Sequence, residues 1–117
     1  MLRAVAALLL IVTFSGMRST SAVAQGTGCQ FVLGFKALHD LAPRDVGDCV
    51  DDQAYAANGD AQQHTSNGLL VWRKADNWTA FTDGYRTWID GPNGLVKRLN
   101  AQRFRWEANP DRLPLAD

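Results

Sequence analysis

Past residue 24 this chain is poor in the side chains that do chemistry. It holds one glutamate (Glu107), one serine (Ser66), two histidines and two cysteines, and no apolar run long enough to cross a membrane. Each scarcity removes a class of function. Ser66 lies in His64-Thr65-Ser66, not in the G-x-S-x-G turn that presents a serine nucleophile, and side chains two apart in a turn do not readily face each other. His39 and His64 occur without an H-E-x-x-H pattern and fall short of the three or four ligands that zinc takes. A lone glutamate supplies no Glu pair for glycoside hydrolysis. Without residues 1–24 the chain has ten Lys and Arg against twelve Asp and Glu, a net charge of −2. A chain with no basic excess is not built to neutralise phosphates, so nucleic acid is not an expected partner. No metal and no cofactor is expected.

What is present begins with an address. Arg3 gives a positive start, Ala4 to Phe14 is an apolar run, and Ala22-Val23-Ala24 is a small-x-small exit. Together they read as a secretory signal peptide over residues 1–24. The run is too short to span a bilayer, which takes about 20 residues. The expected location is therefore secreted or extracellular, with no membrane span in the mature chain. The remaining 93 residues suit a single small domain over 25–109, followed by a flexible, Pro-containing tail over 110–117.

A domain this small has a thin core and needs an extra constraint. Cys29 and Cys49 form an even pair without C-x-x-C spacing, which in an exported domain reads as a disulfide. Closing a loop of about twenty residues contributes roughly 3 kcal/mol in the chain-entropy picture. If the pair is bridged, no thiol nucleophile remains. Trp72, Trp78, Trp88 and Trp106 are many for the length, so aromatic rings should carry much of the core.

From Cys29 the pattern turns helical. Phe31, Phe35, Leu38 and Ala42 recur at steps of four, three and four, and Pro43 stops the run. Gly34 weakens such a helix, which points to a neighbour packed close there. Residues 44–68 read as loop, with Tyr55 as its large anchor. Leu69–Arg73, Trp78–Thr82 and Tyr85–Ile89 read as three antiparallel strands, the last two joined by a two-residue Asp83-Gly84 turn. Trp72, Phe81 and Trp88 fall where they can meet across strands. Leu95, Val96 and Leu99 suggest helical turns, and Arg103–Glu107 a short edge strand. The expected fold is α+β: an N-terminal helix packed on a small antiparallel β-meander, with one disulfide.

Three surface features carry candidate function. Arg73, Trp78, Tyr85 and Arg86 lie on or beside the central hairpin and are the expected ligand-binding residues, since aromatic rings beside polar groups make good contact surfaces. Asp48, Asp51, Asp52, Asn58 and Asp60 form an acidic loop of the oxygen ligands calcium prefers, without the EF-hand spacing. Asn77-Trp78-Thr79 fits N-x-[ST], which matters only in a host that glycosylates; Asn77 more simply serves a hairpin turn.

The segments FKALHDL (35–41), VGDC (46–49) and above all GLLVWRKADNWTAFTDG (68–84) resemble a small module of secreted bacterial proteins. The resemblance covers residues 29–107, with RLN (98–100), Arg103-Phe104 and Trp106-Glu107 matching its usual ending. It implies an exported accessory domain and brings no established activity. The expected function is a secreted, non-catalytic accessory or binding module for a cell-envelope glycan or another secreted protein. The alternatives are a small extracellular hydrolase working with Asp48, Asp51, Asp52, Asp60, Asp83 or Asp90, and a disulfide-braced structural or inhibitory protein.

Overall fold

The computed structural model describes residues 28–116. The segment read as a signal peptide lies outside the described residues. Within them the chain forms helix α1 (Leu33–Leu41), a single turn α2 (Pro43–Val46), and six strands: β1 (Ala54–Tyr55), β2 (Ala61–His64), β3 (Leu69–Arg73), β4 (Trp78–Thr82), β5 (Arg86–Gly91) and β6 (Gly94–Leu99). The strands pair antiparallel in chain order, β1 to β6, as one open meander.

The register sorts the sheet into two faces. Ala61, Trp72, Thr79 and Asp90 stand in one row across β2 to β5, and Gln63, Leu70, Phe81 and Trp88 in the next. Helix α1 packs on β3 and β4 over this face. Phe35, Leu38 and Ala42, which the spacing aligns, are buried there with Val46, Ala61, Leu70, Phe81 and Trp88. Phe81 and Trp88 sit opposite each other with ring centroids 5.4 Å apart. Gly34 permits the close approach: a Cβ there would lie 2.5 Å from Thr79 Oγ1. Cys29 and Cys49 form the disulfide, with Cα atoms 6.1 Å apart.

The structure corrects several expectations. The helix does not start at Cys29: residues 28–32 are not helical, and α1 begins at Leu33. The three-strand meander has six strands. Residues 44–68 are not one loop but contain α2, β1 and β2. β2 escapes a hydrophobicity reading because its buried positions are Ala61 and Gln63, not large apolar residues. Leu95, Val96 and Leu99 belong to strand β6, not to helical turns. The Pro92-Asn93 loop returns the chain onto β5, and cross-strand pairing outweighs local preference. Residues 103–107 make no edge strand; Arg103 alone bridges, in parallel, to Leu115. The Asp83-Gly84 turn is a three-residue connection through Tyr85, with Asp83 Oδ1 accepting the Tyr85 and Arg86 N–H groups at 2.9 and 2.7 Å.

The C-terminal segment lies against the second face. Trp106 meets Trp78 edge-on at 4.7 Å and stacks on Phe104 at 5.2 Å. Arg98 on β6 donates from Nε and Nη2 to both oxygens of Glu107, at 2.6 and 2.8 Å. The stretch expected as a flexible tail makes ordered contacts: Ala116 N–H donates to Arg103 O, and Arg103 N–H to Pro114 O.

Candidate functional site

A hollow of about 170 Å³ opens between the start of α1, strand β1 and the outer end of β3. Phe35 and Ala61, both buried in the core, lie at its base. Its walls are Leu33, Gly34, Gln53, Tyr55, Trp72 and Asn77. Among the described residues no charged side chain lines it.

Local chemistry explains how each wall is held. Gln53 and Tyr55 belong to a segment that has little core of its own, so the segment is tied down from behind. The disulfide fixes Cys49, which bridges Thr65. The Gln63 amide, fully buried, donates to Asp51 O at 2.7 Å and to Gln30 O at 3.1 Å. Asp51 accepts from His64 N–H at 2.8 Å and lies 2.7 Å from His64 Nδ1. Those contacts, the side-chain one first, hold the Asp51 carboxyl below the ordinary carboxylate range. Gln53 Nε2 then donates to the Tyr55 hydroxyl at 2.7 Å, setting the exposed ring at the mouth.

On the opposite wall Trp72 Nε1 donates to Asn77 Oδ1 at 2.7 Å. This leaves three polar groups without a partner in the protein among the described residues: the Asn77 side-chain N–H groups, the Tyr55 O–H and the Gln53 carbonyl. Of the three non-glycine residues with left-handed backbone among the described residues, two sit on this rim, Leu33 at φ 50° and Asn77 at φ 59°. Asparagine tolerates that conformation. For leucine it costs about 1–3 kcal/mol. Leu33 does not recover that cost by burial, because it is 81% exposed.

The four residues expected to bind ligand do not converge. Arg73 and Trp78 pair across the β3–β4 connection and line a smaller hollow of about 100 Å³ on the other face. That hollow also holds Arg98 and Glu107, while Arg73 pairs with Asp76 at 2.9 Å. Tyr85 and Arg86 sit at the far end of β4, with the Arg86 guanidinium over the Tyr85 ring at 5.4 Å. Strand β4 separates the two pairs. The sequence reading missed Leu33, Gln53 and Asn77 as site residues and misplaced Tyr55, expected as an anchor and in fact 65% exposed. The usable signal was an isolated aromatic in a polar stretch.

Among the described residues no group of three His, Cys, Asp or Glu side chains is placed to hold a metal ion. Within the acidic loop Asp60 accepts the Lys74 N–H at 2.9 Å, Asn58 Oδ1 accepts the Asp60 N–H at 2.9 Å, and Asp51 holds His64. None of the described helices is long and apolar enough to cross a membrane. Comparison with known protein families, with curated proteins and with solved structures finds no match.

Proposed function

We propose that this protein is an exported, non-catalytic accessory module that holds a cell-surface glycan. The observation that carries the reading is the uncharged hollow itself, with an exposed tyrosine ring and half-buried Trp72 beside amide groups that have hydrogen-bonding capacity to spare. Rings that offer an apolar face next to a polar rim are the usual make-up of a small-ligand site. Export is supported by the leader-like residues 1–24, and the disulfide is compatible with it. The non-catalytic reading is supported by carboxylates that serve turns, as Asp83 does for the Tyr85 and Arg86 N–H groups.

Sedimentation with insoluble cell-envelope glycan tests the reading. The wild-type protein should be depleted from solution in a saturable way, and Tyr55→Ala should remain in the supernatant. Trp78→Ala and Arg73→Ala, on the second face, should behave as wild type. Wild-type protein that stays wholly in solution would overturn the glycan assignment.

A further inference from the structure

We infer that the hollow between α1, β1 and β3 is a subsite for one neutral sugar ring, with Leu33 as the lip that closes on it; the inference rests on the glycan-binding reading and specifies it. Three independent observations converge. First, size: about 170 Å³ is below the span of drug-sized pockets, roughly 300–1,000 Å³, and suits a single ring. Second, charge: none of the lining residues is ionisable near neutral pH, so among the described residues nothing on the wall compensates an ionised ligand. Third, hydrogen-bonding pattern: the free Asn77 N–H groups and the Tyr55 O–H are donors, and the Gln53 carbonyl is an acceptor. Mixed donors and acceptors around an aromatic face match a ring with hydroxyls at its edge and C–H bonds on its face. An aliphatic side chain of a protein partner would leave those groups unpaired on binding, which is costly.

The strained backbone gives Leu33 its role. Its left-handed φ accompanies an apolar residue left 81% exposed at the mouth of the hollow. A ligand in the hollow would give that side chain a surface to cover. Removing the side chain while relaxing the strain should therefore cost binding without costing the fold, which removal of a purely structural residue would not do.

The test is a titration of the purified, disulfide-bonded protein with N-acetylglucosamine and with methyl β-glucoside, followed by proton–nitrogen NMR. The expected result is saturable shifts of the Trp72 indole N–H and the Asn77 side-chain amide. Tyr55→Ala should weaken binding at least tenfold. Leu33→Gly should weaken it several-fold while unfolding at the same or higher urea concentration. Shifts centred on Trp78 and Arg73 would overturn the assignment. So would hollow signals that stay still with both sugars but move with a hydrophobic peptide. Retention on insoluble glycan with unmoved hollow signals would overturn the subsite and leave the binding-module reading standing. Absence of both would overturn the two together.

Discussion

At the scale of single residues the decisive positions are those where backbone and side chain disagree. Gly34 is in a helix, where glycine is a poor choice by about 1 kcal/mol relative to alanine. The disagreement was legible in the sequence, and its cause is Thr79, whose hydroxyl occupies the space a Cβ would need. Gly34→Ala should therefore destabilise despite the better helix propensity, by about 1–3 kcal/mol as overpacking does. Urea denaturation of the two proteins measures this; an alanine variant more stable than wild type would mean that Thr79 can give way. Leu33 was not legible in the same manner. A leucine at φ 50° carries no local signature, because leucine has no intrinsic preference for that conformation. Gln63 was equally hidden: a buried amide that braces the wall of the hollow reads as a surface residue from sequence alone.

At the scale of elements, β3, β4 and β5 were readable because they are short β-prone runs bounded by turn residues. Strand β6 and the C-terminal segment were not, since β6 takes its form from pairing with β5 and the segment from side-chain contacts with β4 and β6. The Arg98–Glu107 pair shows why. Arg98 is 7% and Glu107 11% exposed, and their contact spans strand and tail. Burial raises the Glu107 carboxyl, but the Arg98 hydrogen bonds, the Phe104 N–H and the charges of Arg98 and Arg103 more than offset it, so the group lies below its ordinary value. Glu107→Ala would leave a buried guanidinium unpaired, which costs about 3–5 kcal/mol. The expected outcome is a loss of that size in urea, with faster amide exchange at Arg103 and Ala116. Arg98→Met combined with Glu107→Leu should recover much of it. A single variant within 0.5 kcal/mol of wild type, the usual effect of a neutral surface change, would show that the pair is not what holds the segment.

At the scale of the whole molecule four carboxylates tie stability to acid pH. Asp40, Asp51, Asp83 and Glu107 are all held below their ordinary values of 3.8 and 4.5. For Asp83 the causes are first the Arg86 N–H and then the Tyr85 N–H. A carboxyl with a lowered folded-state value binds its proton more readily in the unfolded chain. Its stabilising contribution is thus complete above 4.5 and is lost as pH falls through 3.8 and below. Urea midpoints should fall steadily across that window, and Asp83→Asn, which keeps an acceptor without the charge, should make the fall shallower. A midpoint independent of pH between 5 and 3, a range spanning about a hundredfold in proton concentration, would contradict the four shifts together.

The same scale holds the functional claim, that an open sheet with few reactive side chains works by holding a ligand and not by transforming it. One incubation addresses both halves. Purified, disulfide-bonded protein is mixed with cell-envelope glycan, and the bound protein fraction and the newly released reducing ends are measured in the same tubes over time. The account predicts saturable binding with no release above a protein-free control. Release that grows with protein concentration, or no binding at any concentration, would contradict it.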